Sequence, residues 1–152
     1  MNFILDTYNQ LLSQSDGKQK FSEMVCEITP YFKSISPLVV ELRPGFGKWS
    51  MKKVKEVQNH IGTVHAIAMC NLCEVTAGLA TEVSIPDNKR WIPIGMDVEY
   101  LKKATTDLTA SCFFENIDWN NIDTLNVEVS VKDINEQEVM KANIKMKISD
   151  KS

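Results

Sequence analysis

Glu74 lies within the most apolar stretch of the chain, Ile61 to Ala80, where the other residue that ionises near neutrality is His65. A helix that is hydrophobic on every side is buried. A carboxylate buried with it loses hydration, so it must find a partner or hold its proton to higher pH. Such a group can activate water or attack an electrophile directly. The competing structural reading is a carboxyl satisfied by Asn71 or by backbone groups at a subunit seam. The nine residues from His65 to Glu74 advance about 13.5 Å and turn about 900° along a helix, which puts the two side chains on opposite faces. Both can serve one site only if two subunits supply them, so a two-fold dimer with interfacial sites is expected.

Other chemistry-bearing residues are less concentrated. Cys26, Cys70, Cys73 and Cys112 form no dense framework, and Cys70 with Cys73 lacks the second close pair that a zinc site needs. The spacing suits thiols packed in a core, and no metal site is expected. Gly45 and Gly47 precede a strand rather than a helix, so they lack the helix N-terminus of a dinucleotide fingerprint. Trp49, Trp91 and Trp119 could line an acyl tunnel or fill the core.

The elements that must position these groups follow from periodicity. Leu5, Tyr8, Leu11 and Leu12 have helical spacing, and the pattern breaks over residues 13–17. Phe21, Met24, Val25, Ile28 and Phe32 mark a second helix that Pro30 kinks or ends. Residues 38–43 and 47–57 read as strands joined by a turn at residues 44–47. After the apolar helix, residues 91–100 alternate, with Ile92, Ile94, Met96, Val98 and Tyr100 on one face. Residues 104–115, 125–132 and 141–148 are further strands. Helices, two strands, one buried helix and a run of strands make an α+β domain, an antiparallel sheet wrapped around the central helix.

The 152 residues suffice for one domain with a sizeable core, read as an N-terminal helical extension at 1–34 and a domain at 35–150. The formal net charge of −3 and the scattered basic residues, apart from Lys52, Lys53 and Lys55 and the pair Lys102 and Lys103, argue against a nucleic-acid partner. The first residues carry no basic region followed by an apolar run, so no secretory signal is expected and a cytoplasmic location is. Glu74, His65 and Asn71 make membrane insertion of the apolar stretch expensive.

Asn59, Gly62, His65 and Glu74 stand at the spacings of a signature that resembles the hotdog-fold acyl-CoA thioesterases, in particular those similar to the phenylacetate-degradation enzyme and related bacterial hotdog domains. The resemblance covers roughly residues 38–148. It implies a hotdog fold and hydrolysis of a thioester carried by coenzyme A or an acyl carrier, without a resident cofactor, in a homodimer or tetramer. By that likeness Glu74 is general base or nucleophile, Asn59 orients substrate or water, and the Ala66 N–H at the helix start polarises the thioester carbonyl, with His65 lining that turn. Gly62 shares the binding loop. Lys102, Lys103 and Arg90 are the candidates for the coenzyme A phosphates. The chemistry suits these parts, because thioester hydrolysis needs a carboxylate and donors aimed at the developing oxyanion, and a helix N-terminus offers unpaired N–H groups. Thr63 or Asn59 could cap that end.

The chain departs from the family at two places. Two glycines usually follow the histidine, where this chain has Ala66 and Ile67, and a Ser or Thr that positions water in some relatives falls near Pro93, which has neither hydroxyl nor N–H. These departures keep open a hotdog protein that binds acyl-CoA or another apolar ligand without turnover. His60 stands fourteen residues before Glu74, the interval of hotdog dehydratases, but the surrounding loop lacks their Pro and Gly richness.

Overall fold

The computed structural model describes residues 2–152. Helix α1 (Phe3–Leu11) is capped by Asn2, whose side chain accepts from the Leu5 N–H at 3.0 Å. Helix α2 (Gly17–Ile28) stops before Pro30, which opens a 3-10 turn at Pro30–Ile35. Strands β1 (Leu38–Arg43) and β2 (Phe46–Met51) form a hairpin. Helix α3 (Ala66–Glu82) follows, and then β3 (Lys89–Tyr100), β4 (Leu108–Phe113), β5 (Thr124–Lys132) and β6 (Glu138–Asp150). All six strands join one antiparallel sheet in the order β1-β2-β4-β5-β6-β3, which leaves β1 and β3 at its edges. The sheet packs on α3, the α+β hotdog arrangement that the sequence leads one to expect.

Helix α3 is enclosed because few of its side chains want water. Leu72, Cys73, Val75, Ala77 and Ala80 are wholly buried. Thr76 and Thr81 are buried too, and their hydroxyls donate back along the helix to Leu72 O at 2.7 Å and Ala77 O at 2.8 Å, so neither leaves an unmet polar group. The N-terminal helices cover the flank that the sheet leaves open. Phe21 packs against Tyr8 and Trp49, with ring centroids 5.1 and 6.2 Å away, and all three belong to the same core as α3. Polar ties fix this layer: Ser22 Oγ accepts from the Val39 N–H at 2.9 Å and Tyr8 OH from the Leu42 N–H at 3.3 Å.

Three elements are shorter than their periodicity suggests, and in each a competing hydrogen bond ends the pattern. Strand β2 stops at Met51 instead of running to residue 57, because the Lys53 N–H goes to Asp107 Oδ1 at 2.8 Å. Strand β4 begins at Leu108 instead of residue 104, because Ala104 O accepts from the Val64 N–H in the loop before α3. The apolar run begins at Ile61, whereas the helix starts at Ala66, where the resemblance also puts it, because a turn at residues 59–63 intervenes.

Strand β3 also corrects the alternating face. Its pairing with β6 shifts register between Pro93 and Gly95, so Ile94 is an extra residue. Met96, Val98 and Tyr100 pair opposite Ile144, Ala142 and Met140 on the buried face, whereas Ile92 pairs opposite Lys147 on the other. The bulge moves Ile92 off the face it would share with Met96 in an unbroken strand.

Gly47 marks where β2 crosses α3 most closely: a Cβ there would lie 2.8 Å from the carbonyl oxygen of Thr76 and 3.2 Å from the Ala80 Cβ. The obstacle is helix backbone, which cannot swing aside. Gly47→Ala is expected to cost about 1–3 kcal/mol through overpacking, read as a lower denaturant midpoint at unchanged slope.

Candidate active site

A stripe of α3 at four-residue steps, Cys70, Glu74, Gly78 and Glu82, faces edge strand β3. Cys70 Sγ lies 3.7 Å from Tyr100 OH. At the other end, Trp91 stacks over Gly78, and its indole Nε1–H donates to Glu82 Oε2 at 2.6 Å. Glu74 falls between these contacts, level with the bulged middle of β3. Glu82 is therefore spent on Trp91, whereas the half-buried Glu74 carboxyl has no hydrogen-bond or ion-pair partner among the described residues. Burial raises its pKa above the ordinary carboxylate value, with no opposing charge to lower it. Asn71, which could have satisfied it, points elsewhere: its Nδ2 donates to Ser34 Oγ at 3.0 Å and Tyr31 O at 3.3 Å.

The start of α3 is built by a turn that Asn59 holds closed. Asn59 Oδ1 accepts from the Ile61 and Thr63 N–H groups, both at 3.1 Å, and Nδ2 donates to Thr63 Oγ1 at 2.8 Å. Gly62 in the same turn has φ 76°, a left-handed conformation that glycine adopts without strain. The Asn59 amide is thus occupied by its own loop rather than aimed outward. The cap is His65, not Thr63 or Asn59: His65 Nδ1 accepts from the Ile67 N–H at 3.0 Å, which places the proton of the neutral ring on Nε2. The Ala66 N–H has no partner among the described residues, so the first donor of the helix is open where the dipole is positive.

Asn59, Ala66, Lys102 and Lys103 come together around a cleft of about 340 Å³, with Ile61, Tyr100 and Leu101 as apolar wall. His65 faces a separate cleft of about 180 Å³ on the other side of the helix start, beside Tyr31, Ile67 and Ala68. Lys102 is engaged by Gln137 Oε1 and pairs with Asp133 at 3.8 Å, leaving Lys103 as the unpaired cation of the couple. Arg90 lies near the far end of α3, its Nε–H donating to Ser149 Oγ at 3.2 Å, in a cavity shared with Glu82 and Trp91. About 24 Å of helix separates that end from Ala66, so Arg90 does not join the lysines in one chain. His60 is exposed on the 59–63 turn and borders neither cleft. None of the three tryptophans borders them either: Trp49 is core and Trp119 packs on Phe114.

Tyr100 is the site residue that spacing alone does not single out. It touches Cys70 one turn before Glu74 and also walls the cleft at Ala66, linking the two parts of the site. Its only sequence signal is its place at the end of an alternating strand. All four cysteines are free, and no group of three or more metal-ligating side chains occurs among the described residues. No helix of the described residues is long and apolar enough to cross a membrane.

Solved structures share this architecture, a hotdog fold. A crystal structure named genomics APC5556 is 44% identical, over 98% of this chain and 99% of that one, with a TM-score of 0.86. The thioesterase HI1161 of Haemophilus influenzae is 10% identical, over 84% of this chain and 87% of that one, with a TM-score of 0.74. The smu.793 protein of Streptococcus mutans, bound to acetyl CoA, is 22% identical, over 74% and 88%, with a TM-score of 0.63. At these identities the last two share the fold alone. Residues 17–148 match the family described as Domain of unknown function (DUF4442), and the chain belongs to it. No curated protein matches the sequence.

The turn at 59–63 yields a stability prediction. Asn59→Ala leaves the exposed Ile61 and part-buried Thr63 N–H groups without their acceptor and is expected to cost about 0.5–1.5 kcal/mol. Asn59→Asp retains that acceptor and should recover most of the loss, read by thermal melts of both variants beside wild type.

Proposed function

We propose that the protein hydrolyses an acyl thioester of the coenzyme A type. The observation that carries this reading is the half-buried Glu74 carboxylate without a partner, on a helix whose first N–H is also free. Glu74 takes a proton from water as the oxygen attacks the carbonyl carbon, or attacks that carbon itself to form a mixed anhydride that water hydrolyses once the thiolate has left. In either case the oxyanion forms against the Ala66 N–H, the C–S bond breaks, and the thiolate leaves. Asn59 and Gly62 position the helix start through the turn they build, and His65 does so through its cap. The neighbour that holds acetyl CoA and the neighbour named as a thioesterase support the substrate class.

The two halves of the site belong to different protomers in this reading. Along one helix Ala66 and Glu74 stand about 12 Å apart, too far to meet at one carbonyl. Edge strand β3 offers the surface for pairing: it exposes Ile92 and Ile94 at 61% and 58%, large apolar side chains on an unpaired strand edge. A second copy added there as a homodimer would bring its own helix start towards Glu74. Further pairing of dimers gives the tetramer alternative.

Binding without turnover is the second reading, favoured by Pro93, which supplies no hydroxyl near Glu74, and by the Ile67 N–H, which His65 consumes. Free-thiol release from short, medium, long and aryl acyl-CoAs separates the two. Glu74→Gln is expected to lower kcat by about 10²–10⁴-fold while substrate affinity persists. Absence of wild-type turnover across the panel, with affinity intact, would establish the binder.

The raised Glu74 pKa sets two signs. The carboxylate is lost at a higher pH than for an ordinary glutamate, so the acid limb of kcat/KM should lie above the usual carboxylate range. The folded state binds this proton more tightly than the unfolded state, so the group's stabilising contribution is full below the unfolded pKa and is lost as pH rises through the folded one. Glu74→Gln should therefore be at least as stable as wild type at neutral pH, measured by urea denaturation.

A further inference from the structure

The helix start presents its cleft with a single backbone donor, whereas a developing oxyanion is held best by several donors aimed at one oxygen. Of the first N–H groups of α3, that of Ala66 is open towards the cleft of about 340 Å³, and that of Ile67 is taken by His65 Nδ1 at 3.0 Å. Ala68 borders the separate cleft on the His65 side. A second donor for the Ala66 cleft must therefore be a side chain.

Asn59, Thr63, Tyr100, Lys102 and Lys103 are the polar side chains that line it. The Asn59 amide closes its own turn and donates to Thr63 Oγ1 at 2.8 Å, which binds Thr63 into that turn as well. Lys102 is engaged by Gln137 and Asp133. Lys103 is exposed, on a flexible stem that fixes no single position for its charge. Tyr100 differs from all four. Its ring is carried by strand β3, opposite the buried Met140, so its place is set by the sheet rather than by a loop. Its hydroxyl meets only Cys70 Sγ, at 3.7 Å, and a thiol is a weak partner that a carbonyl oxygen displaces readily. That contact, together with burial, raises the phenol pKa, so the hydroxyl holds its proton at neutral pH. Cys70 stands one helical turn, about 6 Å, after Ala66 and one turn before Glu74. The hydroxyl thus lies over the stripe of α3 between the open N–H and the level of the carboxylate.

We propose that the Tyr100 hydroxyl is the second donor to the acyl carbonyl. As the oxyanion forms against the Ala66 N–H, Tyr100 donates to the same oxygen, and it keeps its proton when the C–S bond breaks and the carbonyl re-forms. This rests on the thioesterase reading of the site. It makes good the Ile67 N–H that the His65 cap consumes.

The test uses Tyr100→Phe, which keeps the ring in the cleft wall and removes the hydroxyl. With the acyl-CoA that wild type turns over fastest, kcat is expected to fall about 10²-fold while KM stays within about twofold. The matching S-alkyl-CoA, a thioether with no carbonyl oxygen, should inhibit both proteins equally, a readout that a distorted cleft would move. An unchanged kcat, a raised KM at unchanged kcat, or weaker inhibition of the variant by the thioether would overturn the proposal. If wild type turns over no thioester, the thioesterase reading fails, and calorimetric titration still decides the donor. Butyryl-CoA should then bind Tyr100→Phe about fivefold more weakly than wild type, the worth of one net hydrogen bond, with S-butyl-CoA bound equally by both. Equal butyryl-CoA affinity, equal losses on both ligands, or no binding to wild type overturns it.

Discussion

Enclosure of α3 is the constraint on which the rest of the structure depends. A helix with Leu72, Val75 and Ala77 on different sides has no face to leave in water, so a sheet must curve round it and the N-terminal helices must fill the remaining flank. Enclosure is incomplete at two places: the first turn, where helix geometry leaves N–H groups open, and the stripe under β3, where the sheet ends. The candidate groups, the Ala66 N–H and Glu74, occur at those two places. Glu82 shows what the same stripe does with an acid that has a structural task, since the Trp91 indole meets it directly. Glu74 receives no such partner and bears the desolvation alone.

The loop before α3 uses its polar atoms economically. Asn59 fastens the turn, Gly62 supplies its left-handed dihedral, and His65 accepts one N–H of the helix. What remains are the Ala66 and Ala68 N–H groups. A neutral imidazole can act as acceptor there while adding no positive charge to a helix end that would repel it. The residue pattern that resembles a catalytic signature thus acts here in large part as a scaffold for the open backbone donors of the helix start.

Helical and strand periodicity made most of the fold legible, because burial on one face or on all sides leaves its mark in residue order. The buried helix, the hairpin at residues 44–47 and the paired late strands show this. What stayed hidden were features set by single hydrogen bonds between distant residues. The Lys53 N–H to Asp107 ends β2, the Val64 N–H to Ala104 delays β4, and the Pro93 to Gly95 bulge reverses Ile92. At the site, the isolation of Glu74 was legible from its apolar surroundings. The roles of neighbouring residues were less so, because Lys102 finds Gln137 and Asp133 across the sheet, and Arg90 lies at the opposite end of the helix. Such pairings cannot be read from spacing along the chain.

The two edges of the sheet are not equivalent. At β1 the register breaks between Val39 and Glu41, and Lys18 Nζ caps the Val40 carbonyl at 2.6 Å, while Ser22 takes the Val39 N–H. Among the described residues, no hydrogen bond occupies the outer side of β3 after the bulge. A chain that can accept a neighbouring strand at one edge but not at the other cannot grow as a filament: strand addition consumes the only receptive edge of each partner and closes on itself. The helices that complete the core thereby also occupy polar groups of β1, so that edge pairing of this sheet would be confined to β3.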